Sequence, residues 1–405
     1  MSFASWQRKA TLTAAITAVA APAFAQDGGG TRVELSGFAM LDMGYQSKQN
    51  HPDWFDVVRP TKLPSFEDEF APDGNTFAGV RQSRFGVRSF TPTAAGEIKT
   101  IFEFELFGTG VDAGQTTFRL RHAWGELGKW GAGQTWSPFM DIDVFPNSIE
   151  YWGPNGMVFF RNVQIRYAPL QGEQEVHIAL ERPGASGDPG VLVGTPEIVD
   201  LTGRFPLPDL SAHYRLNQDW GHVQIAGILR RMEWDDATPT PVDSSGDALG
   251  WGVNLSSNLK VLEADTVRLQ VVYGEGIQNY MNDATEDVGA TGDADVGEAL
   301  PLLGVVAFYD RTWNDRFTSS IGYSMTDTDN SAAQAADAFR RGQYALLNLL
   351  YHPVDNLMWG GELQWGKREN NVDGGTDLDG NLVESFDDYR FQVSVKYTFS
   401  KSFGG

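Results

Sequence analysis

The sequence predicts an all-β fold, a transmembrane antiparallel β-barrel of about sixteen strands. Three observations predict this class. Apolar and polar side chains alternate with a period of two along most of the chain. Short turns alternate with long polar connections. The chain has no cysteine to form disulfides, and no segment beyond the N-terminal region reaches the roughly 20 apolar residues of a membrane-spanning helix.

The N-terminal residues have the features of an export signal. Arg8 and Lys9 are positively charged, residues 10–21 are apolar, and Ala23-Phe24-Ala25 forms an A-x-A cleavage site. The apolar run is too short for a membrane anchor. We therefore expect a signal peptide at residues 1–25, a short flexible lead-in at 26–32 and the barrel at 33–405.

The last segment shows the alternation clearly. One parity is apolar: Phe391, Val393, Val395, Tyr397 and Phe399. The other is polar: Arg390, Gln392, Ser394, Lys396 and Thr398. Successive strand side chains point to opposite faces, so one face is apolar and the other polar. Because a half-buried strand of a soluble protein gives the same pattern, the barrel prediction depends on repetition. The predicted strands are centred near residues 39, 85, 102, 120, 132, 163, 178, 213, 226, 252, 270, 305, 321, 346, 362 and 394.

The connections between these segments alternate in length. Short turns are predicted at 92–96, 125–128, 169–173, 217–221, 310–315 and 352–356. Long connections are predicted at 46–79, 137–157, 184–208, 233–246, 276–299, 327–340 and 369–386. Short periplasmic turns and long external loops are typical of bacterial outer-membrane barrels. A barrel of this size encloses an aqueous channel, and pairing of its last strand with its first leaves no open edge in lipid.

Charge and motifs exclude several function classes. The net charge of −22 argues against nucleic acid as a partner. The sequence has no H-E-x-x-H metal motif, no G-x-S-x-G nucleophile elbow and no G-x-x-x-x-G-K-[ST] phosphate loop. We therefore expect neither an enzyme nor a cofactor.

Charged side chains at inward parity are the candidate pore-lining residues. The arginines are Arg84 and Arg88 on the second strand, Arg119 and Arg121 on the fourth, and Arg166 on the sixth, with Arg161 at the outer end of that sixth strand. Glu103 and Glu105 lie on the third strand, between the second and the fourth. One interpretation is a basic stripe facing the solute, because arginine binds carboxylates through a bidentate fork. The other is that the arginines pair with the two glutamates and stiffen the wall, and both can hold together.

Several motifs resemble the DcaP-like family of trimeric outer-membrane porins. They are Leu35-Ser36-Gly37-Phe38 with Asp42, Arg81-Gln82-Ser83-Arg84-Phe85-Gly86, Leu120-Arg121-His122-Ala123-Trp124, Gly133-Gln134-Thr135-Trp136-Ser137, Gly153-Pro154 with Arg161, and Gln164-Ile165-Arg166-Tyr167. The resemblance implies a sixteen-stranded homotrimer in the outer membrane, with an inward-folded constriction loop. It also implies uptake of small anionic solutes, such as dicarboxylates.

The connection after the fifth strand is the candidate constriction loop. It contains Asp141, Asp143 and Glu150, which we expect to face the arginines and to set a transverse field across the pore. The alternative is an ordinary exposed loop.

The other acidic side chains crowd the expected external loops, where they would contact lipid headgroups and lipopolysaccharide. Asp377 and Asp379 form part of a calcium-loop motif but lack its full spacing, so a solvated loop is favoured there. Two alternatives to an anion-favouring porin stay open: a non-selective or cation-preferring porin, and a plugged structural or adhesin barrel.

Overall fold

The computed structural model describes residues 30–192, 201–236, 243–292 and 297–404. The expected signal peptide lies outside the described residues. The expected lead-in is described only from residue 30, and the first strand begins at Arg32.

Within these ranges, sixteen long antiparallel strands form one closed barrel. They are β1 (Arg32–Gln46), β2 (Arg84–Thr93), β3 (Gly96–Phe107), β4 (Thr116–Leu127), β5 (Trp130–Trp136), β6 (Arg161–Leu170), β7 (Gln174–Glu181), β8 (Asp209–Gln218), β9 (Gly221–Asp236), β10 (Gly246–Val261), β11 (Asp265–Glu275), β12 (Pro301–Asn314), β13 (Phe317–Thr328), β14 (Phe339–Val354), β15 (Leu357–Asn370) and β16 (Phe386–Phe403). The barrel closes where β16 pairs with β1, from Val33 opposite Phe403 to Gln46 opposite Arg390. Each predicted strand centre lies in one of these strands, so the predicted fold class is confirmed.

Short strands extend two of the long ones. Asn75–Gly79 pairs with the external half of β1, above β2, and Leu201–Arg204 pairs with β9, above β8. Three further short strands, Gly187–Asp188, Val288–Ala290 and Gly297–Ala299, form a small separate sheet in the long connections.

The exposure of the side chains is the reverse of that in a soluble protein. On β16, Gln392 and Arg390 are buried at 0% and 2% exposure, whereas the outward Phe391 is 48% exposed and Tyr397 is 58% exposed. An apolar face that points away from the protein is the arrangement required for contact with lipid. Among the described residues, no helix is both long and apolar enough to cross a bilayer.

Some connections differ from the sequence prediction. Residues 108–115, between β3 and β4, form an external connection that was not predicted. The turn between β10 and β11, residues 262–264, was not predicted because it contains neither Gly nor Pro, and Leu262 itself takes a left-handed φ of 52°. The turn after β12 is shorter than the predicted 310–315, because β12 continues to Asn314.

One long connection folds into the lumen. Residues 137–160, between β5 and β6, are called the constriction loop below. Its apolar side chains, among them Phe139, Met140 and Met157, pack against inward-facing residues of the opposite wall. The wall residues are Ile228 on β9, Val272 on β11, Val306 and Phe308 on β12, and Tyr344 and Leu346 on β14. The open part of the lumen therefore lies on the side of β2 to β6.

Candidate constriction site

Inward-facing amides hold the constriction loop against the barrel wall. Side-chain amide groups donate to loop carbonyl oxygens from Gln82, Gln224, Asn254, Asn258, Gln270, Asn348 and Gln392. These residues lie around much of the circumference, so the loop crosses the lumen and is not an exposed external loop. The polar wall satisfies the backbone of the loop, as buried carbonyl groups require.

A glycine permits the closest approach between the loop and the wall. A Cβ atom at Gly156 would lie 2.0 Å from the carbonyl oxygen of Met325 and 2.7 Å from that of Val305. The amide of Gly156 donates to Ser324 Oγ at 2.8 Å, and its carbonyl accepts from Gln270 at 3.1 Å. A larger residue at this position would push the loop into the open lumen.

Glu105 is the centre of the charged wall on the open side. Its side chain is 0% exposed, and its carboxylate lies 2.7 Å from Arg121 Nη1, 3.4 Å from Arg84 Nη2 and 3.6 Å from Arg119 Nη1. Arg161 Nη2 lies 4.0 Å from the same carboxylate. Four of the six predicted arginines thus meet at one glutamate.

Glu103 supplies the second negative charge of this group. Its carboxylate lies 2.7 Å from Arg121 Nε and 3.8 Å from Arg84 Nε. We call these residues, Arg84, Arg119, Arg121, Arg161, Glu103 and Glu105, the arginine cluster. With all six ionised the cluster carries two more positive than negative charges.

A β-bulge gives the cluster its density. In the pairing of β3 with β4, Glu103 lies opposite His122 and Phe104 opposite Leu120, so Arg121 has no partner in the register. The extra residue lets Arg121 and His122 both face inward, although they are adjacent in sequence. Strict alternation would have turned one of them toward lipid.

Some donors of the arginine cluster are not used by the protein. Arg84 Nε and Arg161 Nη1 are buried and make no hydrogen bond within the described part of the chain. Arg161 also lies over the ring of Trp136 at 4.8 Å. The cluster therefore combines wall ion pairs with unsatisfied N–H groups.

Arg88 and Arg166 lie apart from the arginine cluster. Arg88 is exposed nearer the short-turn end of β2. Arg166 lies over the ring of Trp124 at 4.5 Å and lines a separate recess of about 240 Å³ with Glu126 and His177. Parity predicts the face of a strand correctly for both arginines, but their height along the barrel separates them from the cluster.

The acids of the constriction loop have other partners than the arginine cluster. Asp141 accepts from His222 Nε2 and from Ser256 Oγ, both at 2.7 Å, and Asp143 pairs with Arg215. Glu150 is buried, accepts hydrogen bonds from the amides of Val58 and Gly153, and burial raises its pKa to about 7. The contribution of the loop to the arginine cluster is Tyr151, whose hydroxyl donates to Glu105.

Two external connections add residues to the site that were not predicted from the sequence. They follow β1 (residues 47–83) and β11 (residues 276–300). Arg59 lies between the rings of Trp54 and Trp152, at 4.2 and 4.1 Å, and its Nε lies 2.9 Å from Asp283. Asn282 donates to the carbonyl of Pro154 at 2.9 Å. No motif marks these residues, because distant loops bring them together.

A cavity of about 710 Å³ lies between the constriction loop and the arginine cluster. Arg84, Arg119, Arg121, Arg161 and Arg59 line it, together with aromatic side chains of the loop such as Tyr151 and Phe159. A concave space with several guanidinium groups and aromatic walls can hold a small carboxylate.

The weak calcium candidate is an ordinary capped loop. Asp377 accepts hydrogen bonds from the amides of Asp379 and Asn381 and from the Asn381 side chain. The carboxylate of Asp377 therefore accepts hydrogen bonds from the amides of its own turn. Among the described residues, neither Asp377 nor Asp379 belongs to a group with metal-ligand geometry.

A closed sixteen-stranded barrel with an inward loop and charged constriction defines an outer-membrane channel of the porin class. The sequence model of the DcaP outer membrane protein family matches residues 74–390. The chain belongs to this family, and its location is the bacterial outer membrane. Among curated proteins, none matches the chain by sequence.

Solved structures share the fold. The outer membrane channel DcaP of Acinetobacter baumannii is 22% identical, with a TM-score of 0.76 over 91% of this chain and 98% of that one. An anion-selective porin from Comamonas acidovorans is 13% identical, with a TM-score of 0.59 over 91% and 100% of the two chains. OmpT of Vibrio cholerae in its trimer form is 10% identical, with a TM-score of 0.55 over the same shares.

Proposed function

We propose that this protein is a passive porin that favours small anions, such as mono- and dicarboxylates, as they pass the arginine cluster. The observation that carries the proposal is the excess of two positive charges around Glu103 and Glu105, beside a cavity of about 710 Å³. The part-exposed guanidinium groups of Arg84 and Arg119 supply donors for a carboxylate.

The local charge determines selectivity even though the whole chain is acidic. Charges farther than roughly 10 Å apart are largely screened at 0.1 M salt. The acids of the external loops therefore act weakly at the constriction. Two unit charges at 4 Å attract by about 1 kcal/mol in water and several-fold more at reduced dielectric. The cluster can favour anions without trapping them, which transport requires.

The comparisons support two parts of the proposal. A protein with this fold is described as an anion-selective porin, and another was solved as a trimer. We propose that this chain also forms a homotrimer in contact with outer-membrane lipid and lipopolysaccharide. We further propose that it has no enzymatic activity.

Single-channel recording under a salt gradient tests the function. We expect a reversal potential on the anion side for the wild type. In the double variant Arg84→Gln/Arg119→Gln the anion-to-cation permeability ratio should fall several-fold, because two cluster charges that face the cavity are lost. These side chains are 27% and 28% exposed, whereas that of Arg121 is 5% exposed and holds both glutamates. The pair therefore changes charge with less effect on folding than Arg121.

The control is Arg231→Gln. Arg231 lies on the outward face of β9, where it pairs with Glu233 and Asp247, so the variant removes one positive charge outside the lumen. Its permeability ratio should equal that of the wild type. A wild-type reversal potential on the cation side would contradict the proposal, and so would an unchanged ratio in the double variant.

A second candidate function is a barrel with a blocked lumen. The contacts of Arg59 with Asp283 and of Trp152 with Asn282 favour it, because they join three loops across the external mouth. The same recording separates the two functions. Stepwise conductance supports the porin, and a folded barrel without conductance supports the blocked lumen.

A further inference from the structure

A second polar group lies on the lumen wall away from the arginine cluster. It consists of Glu175 and His177 on β7 and His213 on β8. His177 lies directly opposite His213 in the register, and Glu175 lies opposite Arg215. The three candidate ligand atoms lie within 4.8 Å of one another, and the two imidazole rings have centroids 4.6 Å apart.

The hydrogen bonding of His213 leaves one nitrogen free to act as a ligand. Its Nδ1 lies 3.0 Å from the carbonyl oxygen of Pro138. A carbonyl oxygen can only accept, so Nδ1 carries the proton and Nε2 keeps its lone pair. Nε2 is buried and makes no hydrogen bond with any residue that the structure describes. Metal-binding imidazoles have this arrangement, in which a carbonyl oxygen fixes the tautomer and the orientation of the ring.

The neighbouring side chains are compatible with a bound cation. The carboxylate of Glu175 is oriented by Asn217 Nδ2 at 2.8 Å. The guanidinium of Arg215 contacts Asp141, Asp143, Asn217 and His222 instead of Glu175. Arg166 lies over Trp124 and lines the same recess as Glu175 and His177, so its positive charge is one that a bound cation must overcome. Glu175 and His177 line the recess of about 240 Å³ that includes the turn residues Gly128 and Lys129, so this site is reached from the short-turn side.

We propose that Glu175, His177 and His213 bind a divalent transition metal ion, best represented by Zn²⁺. Two imidazole nitrogens and one carboxylate oxygen are ligands that Zn²⁺ prefers, and a fourth tetrahedral position would hold water or an anionic solute. Bonds of about 2.1 Å place tetrahedral ligand atoms roughly 3.4 Å apart. Ligand atoms within 4.8 Å of one another reach that spacing by small side-chain rotations.

Metal binding at this position acts on the constriction loop. His213 holds Pro138, one of the first residues of the loop, through its Nδ1 hydrogen bond. A metal on Nε2 fixes the ring and makes Nδ1–H a stronger donor, so it fastens the start of the loop to the wall. This inference is independent of ion selectivity, because the site lies nearer the short-turn end of the barrel than the arginine cluster and shares no residue with it.

A second group with similar geometry serves as an internal comparison. Asp141, Asp143 and His222 also bring ligand atoms within 4.8 Å. Their atoms already have protein partners, since His222 Nε2 lies 2.7 Å from Asp141 and Arg215 contacts both aspartates. A cation there would have to displace a guanidinium group, whereas at His213 it occupies an unused lone pair.

The test is direct metal binding to the full-length barrel in detergent after removal of metals with a chelator. We expect one Zn²⁺ per chain by titration against a chromophoric chelator, and visible absorption bands of tetrahedral coordination with Co²⁺. His177→Gln and His213→Gln should each weaken binding at least about tenfold, and the double variant should abolish it. Heat-modified electrophoretic mobility shows that each variant is folded.

Two controls make the result specific. His222→Gln should bind Zn²⁺ like the wild type, because the comparison group is not the site. Asn217→Ala should weaken binding by less than the loss of either histidine, since it orients a ligand without being one. The proposal is overturned if the wild type binds no more Zn²⁺ than the double variant, or if His222→Gln loses binding while His177→Gln keeps it.

Discussion

The two sides of the lumen carry the same kinds of charged side chain in different balance. On the open side, four arginines share Glu103 and Glu105, and positive charge is in excess. On β8 and β9, Arg215 pairs with both Asp141 and Asp143 of the loop, and His222 pairs with Asp141. The difference shows that the loop supplies its own side with acids and leaves the arginine cluster with two carboxylates from the barrel. Selectivity is therefore expected to depend on one wall, and loop position on the other.

The largest expected effect on stability comes from removing the negative charge of Glu105. In Glu105→Gln four arginines lose their shared carboxylate in a place where the side chain is 0% exposed. Breaking a buried ion pair by removing one partner costs about 3–5 kcal/mol. We expect a loss of that size in urea unfolding followed by tryptophan fluorescence, together with a stronger anion preference of the channels that fold. An unfolding midpoint equal to that of the wild type would show that the arginines do not depend on Glu105.

The barrel and its charged wall could be predicted from the sequence because both depend on period-two alternation. Lipid on one side and water on the other impose that period on every strand, and parity alone places Arg84 and Glu105 in the lumen. Parity does not give height along the barrel. For this reason Arg166 was grouped with arginines from which it is separated.

Other features depended on contacts that no local pattern records. The bulge at Arg121 changes parity within β4, and no Gly or Pro marks it. Arg59 and Tyr151 reach the site from loops whose positions are set by distant partners. The inward amides that hold the loop, such as Gln224 and Gln270, were visible as polar residues at inward parity, but their acceptors belong to a loop far away in sequence.

The next effect concerns pH and the end of the loop nearest the arginine cluster. Burial raises the pKa of Glu150 from 4.5 to about 7. A carboxyl group whose pKa is raised in the folded state contributes full stability below its unfolded pKa and loses it as pH rises through the folded value. We expect ionisation of this buried carboxyl group to lower the free energy of unfolding by up to about 3 kcal/mol between pH 4.5 and 7, although the amides of Val58 and Gly153 bind the ionised form more strongly.

Urea unfolding at pH 4.5 and at pH 7, followed by tryptophan fluorescence, measures this fall. Glu150→Gln removes the titrating group, so its free energy of unfolding should fall less over the same interval. An equal fall in Glu150→Gln would assign the effect to another group.

A smaller effect on the constriction loop is expected from a change at Asp141. Asp141→Asn keeps the shape of the side chain but weakens its hydrogen bonds with His222 and Ser256, each at 2.7 Å. Hydrogen bonds to a charged group contribute about 1.5–3 kcal/mol. We expect faster amide exchange in residues 139–145 and noisier open-channel current, with unchanged ion selectivity. Asp143→Asn is the matched control, because its side chain is 43% exposed and its loss should cost less.

The smallest expected effect on stability comes from breaking an exposed ion pair between the same two strands. β3 and β4 carry a further ion pair outside the arginine cluster, in which Lys99 Nζ lies 3.6 Å from Glu126 and the two side chains are 50% and 37% exposed. Exposed pairs contribute about 0–1 kcal/mol because water screens the charges and the long side chains lose entropy. Glu126→Gln should therefore shift the urea midpoint far less than Glu105→Gln, although both replace a glutamate that pairs across the same two strands. Equal shifts would mean that strand pairing, and not the burial of charge at the arginine cluster, sets the stability of this wall.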